Sequence, residues 1–261
     1  MHLALFLLAL GQVPDYSAVR QARAERLNAE KGWLSVAGLT WLDEGENSVG
    51  SDPASRVVLP ARAPSRFGTL VRRGKRVLFR PSDASQEKPV TEDVKVGDVT
   101  FAIIVRGDRV GVRLWDPLRP ARLAFRGLHW FAPDPRYRIA ARYVRYPKPR
   151  TLNIVNVLGD STPVPSSGFV QFKLDGKVCR LQAEDAEDGL FINFQDATSG
   201  VSTYSAGRFL DTPRPVGDWV MIDFNLAVNP PCAYTEFATC PLPPAGNRLS
   251  VAIRAGEKRY H

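Results

Sequence analysis

Val99-Thr-Phe-Ala-Ile-Ile-Val-Arg-Gly-Asp-Arg-Val-Gly-Val-Arg-Leu-Trp115 consists of two runs rich in β-branched residues on either side of Gly107-Asp108. Val and Ile suit a pleated, half-buried surface, and Gly-Asp suits a tight reversal, so the stretch predicts an antiparallel hairpin. That turn also accounts for the Arg106-Gly107-Asp108 triplet without any adhesion role. A second hairpin is predicted where Phe169-Val-Gln-Phe-Lys-Leu174 and Lys177-Val-Cys-Arg-Leu181 flank Asp175-Gly176. Further strands are expected at Val71 to Phe79, Leu190 to Phe194, Trp219 to Phe224 and Leu249 to Ile253. No amphipathic helix period runs through roughly the last 150 residues, which argues against an α/β fold.

Outward from the hairpins, the N-terminal side reads differently. Met1 to Gly11 is one short apolar run, with Ala9 and Gly11 at the spacing of a signal-peptide cleavage site. It is too short to span a bilayer. Export to the cell envelope or beyond is therefore expected, although no Lys or Arg precedes the run. Asp15 can cap a helix reaching Lys31, with Ala18, Val19, Ala22, Leu27 and Ala29 near one face and Gly32 as its stop. The expected organisation is a leader over 1–11, a helix over 12–31, a β subdomain over 32–116 and a second β subdomain over 117–261. The fold class is mainly β: two packed subdomains, the second a sandwich or barrel, with a short N-terminal helix.

The 261 residues include 44% hydrophobic ones, enough for a substantial core, and the 20 Gly and 21 Pro are scattered as turns rather than gathered in a tail. The net charge of +8 is local. Arg119 to Arg150 holds eight Arg and one Lys against a single acid, Asp134, and Arg62 to Arg80 is a second acid-free basic run. Such surfaces attract anions. No nucleic-acid motif accompanies them, and Tyr137, Arg138, Arg142 and Tyr143 are spaced as a solvated strand face requires, so nucleic acid is not expected as a partner.

The densest cluster of polar residues in an otherwise apolar neighbourhood is Asp223 to Asn247. Asp223 and Asn225 are two apart at the end of a predicted strand, which puts both side chains on one face. Asn229, Tyr234, Thr239 and Asn247 can converge there, with Cys232 and Cys240 fixing the loop. Side chains of these types orient polar ligands or polarise a carbonyl. The competing reading is that Asn and Asp cap a long loop through backbone hydrogen bonds. Asp223 and Tyr234 are the candidate catalytic residues, and Arg208, Asn225, Asn229, Cys232, Cys240 and Asn247 the candidate ligand-binding ones.

Cys232 and Cys240 could form a small disulfide loop, leaving Cys179 odd, or all three could be thiols. With His only at positions 2, 129 and 261, a Cys232/His129 nucleophile has no sequence feature uniting it, and transition-metal sites lack ligands. No metal or cofactor is expected. Gly159-Asp160-Ser161 follows an apolar run as in Gly-Asp-Ser hydrolases, but the β surroundings and the absence of a terminal Asp-x-x-His pair favour a turn.

Leu42-Asp-Glu-Gly-Glu-Asn-Ser-Val-Gly50 through Pro60, with Ser65-Arg66 and Val96-Gly97-Asp98, resembles the opening of a forkhead-associated β-sandwich over about residues 40 to 116. Those domains place Arg after the first Gly and His after Ser-Arg. Here Ser51 stands in the first place and the His is absent, with Gly68 nearby instead, which speaks against phosphopeptide binding. A broader set of motifs comprises Gly32-Trp33 to Leu42, Asp134-Pro-Arg-Tyr-Arg138, Asn156 to Asp160, Asp196 to Gly200 and Gly207 to Leu210. It continues with Asp223-Phe-Asn225, Asn229-Pro-Pro-Cys-Ala-Tyr234, Thr239 to Pro244, Asn247 and Ala255-Gly-Glu-Lys258. This set resembles the uncharacterised family called domain of unknown function 1684 over about residues 32 to 258. The resemblance implies a β-rich fold with a C-terminal motif block and carries no activity.

The function expected from all this is an exported β-rich protein binding a small polar or anionic ligand, or an envelope partner, through the C-terminal block. The alternative is a hydrolase using Asp223, Asn225 and Tyr234 at the same place.

Overall fold

The computed structural model describes residues 13–261. The expected leader lies outside them. The chain is mainly β and divides into two compact units, one of Glu25–Arg126 with Thr235–Ala238, the other of Gly127–Tyr234 and Thr239–His261 with the chain up to Ala24. Among the described residues, no helix is long and apolar enough to cross a membrane.

Helix α1, Tyr16–Asn28, begins where the Asp15 carboxylate accepts from the backbone N–H groups of Ser17 and Ala18. It stops three residues before Lys31 because Gly32 is already extended at φ −74 and ψ 170. Its inward face is not the expected apolar stripe. Val19 is 39% exposed and Ala18 is exposed, whereas Tyr16, Arg20 and Arg23 are half-buried and Leu27 is buried. These four follow the i, i+4, i+7, i+11 spacing of one helix side. The docking side is largely polar, so apolar periodicity alone does not find it.

The Glu25–Arg126 unit contains two sheets. Strands β1 Val36–Trp41, β9 Arg109–Trp115, β8 Val99–Arg106 and β7 Val94–Val96 lie side by side in that order. In the other sheet the order is β3 Val57–Val58, β2 Gly45–Gly50, β4 Gly68–Arg73, β5 Arg76–Pro81 and β6 Lys88–Pro89. Leu70, Val77, Val99, Phe101, Val110 and Val112 from both sheets share one core. Phe67 stacks on Phe79 at 5.1 Å and meets Phe101 edge-on at 6.5 Å. The β8–β9 hairpin turns at Gly107-Asp108, with Arg106 opposite Arg109.

The second unit is one six-stranded antiparallel sheet in the order β14, β13, β12, β11, β10, β15. These are β10 Arg138–Val155, β11 Ser161–Leu174, β12 Lys177–Ala186, β13 Gly189–Phe194, β14 Arg208–Pro213 and β15 Trp219–Asp223. The β11–β12 turn has Asp175 at φ 49 and Gly176 at φ 74, the paired left-handed residues of a type I′ hairpin. The sheet curls until its edge strands β14 and β15 approach one another. Inside the curl lie Val170, Leu181, Ile192, Phe194, Leu210 and Ile222. The core is completed by irregular chain, Phe224, Ala227, Val251, Ile253 and Ala255, rather than by a second sheet. Gly159-Asp160-Ser161 is the β10–β11 turn, closed by Asn156 Oδ1 accepting from the Leu158 and Asp160 N–H groups. Arg142, Arg145 and Arg150 stand exposed on β10 while Ala141 and Tyr143 point inward.

Candidate functional site

After β15 the chain abandons regular structure, and backbone groups there need partners that no ladder supplies. Polar side chains provide them. Asp223 Oδ1 accepts from the Asn225 backbone N–H at 3.0 Å and from its Nδ2 at 2.9 Å. Asn225 reaches back to Asp134, accepting from its N–H at 2.9 Å and donating to its carbonyl at 3.0 Å. The other carboxylate oxygen of Asp223 accepts from the Tyr16 hydroxyl at 2.6 Å, with Arg138 Nε 3.6 Å away. Burial and the Asp223 charge push the Tyr16 phenol up to about 12.

A second network centres on Glu257, which is 1% exposed. Its segment is fixed on both sides. Phe131 N–H donates to Gly256 O at 3.0 Å, and Glu257 N–H donates to Ala227 O at 2.8 Å. Gly256 is required at φ +77, because a Cβ there would lie 2.5 Å from Ala227 O. The Glu257 carboxylate accepts from Asn229 N–H and Asn229 Nδ2, each at 3.0 Å, and from the Tyr234 hydroxyl. Arg23 Nε lies 3.8 Å from it. Burial raises the Glu257 pKa, while Arg23 and the surrounding donors oppose the shift. Burial and the adjoining carboxylate likewise raise the Tyr234 phenol.

Arg23 also donates to Asn229 O at 2.8 Å, and its guanidinium lies over the Tyr234 ring. One helical turn earlier, Arg20 donates to Phe131 O at 2.9 Å and lies over Trp130. Three buried polar atoms here have no hydrogen-bond partner among the described residues: Arg20 Nε, Arg23 Nε and Asn229 Oδ1. Buried polar atoms are rarely left so. Arg23 Nε and Asn229 Oδ1 belong to residues that touch the Glu257 carboxylate, whereas Arg20 Nε belongs to the guanidinium over Trp130.

The remaining expected residues are placed apart. Arg208 is fully enclosed, pairing with Asp196 at 2.8 Å and donating to the carbonyls of Ile253 and Ala255. Every polar partner of this guanidinium is internal, and its surroundings are core. Asn247 is 1% exposed. It accepts from Gln182 N–H at 2.7 Å and donates to the Gln182 and Asn193 carbonyls, both at 2.9 Å, bridging β12 and β13 where their ladder has stopped. Cys232 and Cys240 are adjacent thiols, the Cys232 N–H donating to Cys240 Sγ at 3.1 Å.

So Asn229 and Tyr234 come together with Glu257, and Asp223 comes together with Asn225. The two groups do not merge. They meet α1 at Arg23 and Tyr16, seven residues or about 10 Å apart along the helix. Glu257, Arg23, Arg20, Tyr16 and Asp196 were not among the candidates. The one sequence signal for Glu257 is its place in Ala255-Gly-Glu-Lys258, and the signal for the helix residues is their spacing on one side. Among the described residues, no group of three or more His, Cys, Asp or Glu is placed to hold a metal ion.

A family model described as a protein of unknown function, DUF1684, matches residues 123–258, which hold every residue of these networks except those of α1. An uncharacterized protein of Haloarcula marismortui, solved by solution NMR, is 34% identical over 53% of this chain and 79% of that one, with a TM-score of 0.45. No curated protein matches the chain.

Proposed function

This chain belongs to the DUF1684 family of proteins of unknown function, and from that premise we propose that it is an exported binding protein whose C-terminal block takes a small polar or anionic ligand beside Glu257. The observation that carries this reading is that Arg23 Nε and Asn229 Oδ1, in the network of one enclosed acid, have no hydrogen-bond partner among the described residues, with Arg20 Nε in the same state one helical turn away. An anion would satisfy the arginine donors, and a hydroxyl or amide N–H on the same ligand would satisfy Asn229. Placement outside the cytoplasm rests on the Met1 to Gly11 run, and detection of a shortened mature chain in the envelope or medium tests it. Hydrolysis by Asp223, Asn225 and Tyr234 has less support, since Asp223 and Tyr234 sit in separate networks.

The test is a thermal-shift panel of inorganic phosphate, sulfate, short dicarboxylates, amino acids and sugar phosphates on the whole chain. A true ligand at a hundredfold excess over its Kd raises Tm by about 5–10 °C. The Arg20→Gln variant, its folding checked by its own melting curve without ligand, loses that shift. If no compound gives a saturable shift, or Arg20→Gln responds as the wild type does, the proposal fails.

A further inference from the structure

Cys232 and Cys240 have geometry that neither the ligand site nor the core requires. Both are thiols, Cys240 buried and Cys232 half-buried. Their backbones are pinned independently. Tyr204 OH donates to Cys232 O at 3.1 Å, and Val157 N–H donates to Cys240 O at 3.0 Å. Pro231 begins the 3-10 turn that carries Cys232, and Pro241 follows Cys240, which limits backbone freedom on both sides. The Cys232 N–H aimed at Cys240 Sγ at 3.1 Å stabilises negative charge on that sulfur and holds the two residues side by side. Cys179, by contrast, is a buried thiol on β12 facing the core.

We propose that Cys232 and Cys240 are a reversible dithiol–disulfide couple that exchanges with small-molecule disulfides of the glutathione class. Cys232 is the attacking thiol, because it is the more exposed of the two. Its thiolate attacks one sulfur of the small disulfide, forming a mixed disulfide and releasing the first small thiolate. Cys240, on losing its proton, attacks Cys232 Sγ and displaces the second small thiolate. The two cysteine sulfurs together lose two electrons and two protons, and the small disulfide gains both to become two thiols. Hydrogen bonding to Cys240 lowers the Cys232 thiol to about 7, near the optimum for an attacking thiol at neutral pH. The bond closes a loop that contains Tyr234, so the couple acts on the segment that holds Glu257.

The experiment equilibrates the folded whole chain in reduced and oxidised glutathione at graded ratios, quenches with an alkylating agent and locates the labels by mass spectrometry. Expected is a loss of about 2 Da with Cys232 and Cys240 unlabelled, fully reversed by reduced glutathione. Cys179 is left outside the bond. Cys240→Ser accumulates glutathione on Cys232, having no resolving thiol, whereas Cys232→Ser accumulates almost none. In the wild type, iodoacetamide labels Cys232 about tenfold faster than Cys179 at pH 7, with a rate that rises through pH 7. Absence of the Cys232–Cys240 bond even in oxidised glutathione alone overturns the proposal, as does a bond to Cys179. The wild-type measurement decides the matter even if a variant fails to fold.

Discussion

Arg208 and Asp196 form an ion pair at 2.8 Å with both side chains wholly enclosed. Asp196 Oδ1 also accepts from Thr198 N–H at 2.8 Å, Thr198 Oγ1 at 2.6 Å and Ile253 N–H at 3.2 Å, so the pair ties the turn after β13 and the C-terminal segment to β14. Burial lowers the Arg208 pKa, and the charge of Asp196 opposes that shift.

Removing either partner strands the other charge in the core. Arg208→Met or Asp196→Asn therefore costs about 3–5 kcal/mol in chemical denaturation. An apolar double replacement costs less than the sum of the two single ones, because no lone charge is left behind. Additive losses would mean that the pair does not interact as the geometry requires.

Asn247 supplies one acceptor and two donors to the open ends of β12 and β13. Asn247→Ala orphans those backbone groups and destabilises by about 2–4 kcal/mol. Asn247→Asp is worse still, since a carboxylate cannot donate to the Gln182 and Asn193 carbonyls. Equilibrium urea unfolding ranks the two variants, and the reverse order would contradict the bonding described.

Tyr234→Phe removes one donor from a carboxylate that keeps its two hydrogen bonds from Asn229. The expected loss is about 1–3 kcal/mol, the range for hydrogen bonds to charged groups. Glu257→Gln brings an amide N–H to a site already crowded with donors, so it costs more than Tyr234→Phe. Thermal melts of both variants test that order.

Glu184 lies on β12, half-buried, with one carboxylate oxygen lacking a hydrogen-bond partner among the described residues. Burial pushes its pKa up to about 7. The folded state thus prefers the protonated acid. Its contribution to stability is complete below the usual carboxylate pKa and is lost as pH rises from there through 7. Allowing for solvent screening of this partly exposed group, the loss is about 1–2 kcal/mol. Denaturation at pH 5 and pH 8 should show Glu184→Gln losing less stability than wild type over that interval. Parallel curves would refute the assignment.

Much of the fold was legible because hairpins are local. The turn residues Gly107-Asp108 and Asp175-Gly176 lie between the strands they join, and the β-branched runs on each side state the pairing. Asp15 announced the start of α1 for the same reason. The helix's inward side was not legible, since Arg20 and Arg23 face inward only because Phe131 O and Asn229 O await them more than a hundred positions away. The C-terminal block stands out in the sequence by its composition, yet its division into two networks was not visible. Adjacent Asn and Asp residues look alike until their partners are known.

By itself, then, the sequence determined the β class, both tight hairpins, the helix start and the segment richest in unusual polar residues. These follow from backbone preferences and side-chain periodicity, which act over a few residues. Only the tertiary structure decided that Arg208 belongs to Asp196, that Asn247 bridges two strands, and that Glu257 gathers Asn229, Tyr234 and Arg23. Those pairings are set by the need to satisfy each buried polar atom once the chain has closed on itself, and that need has no local signature.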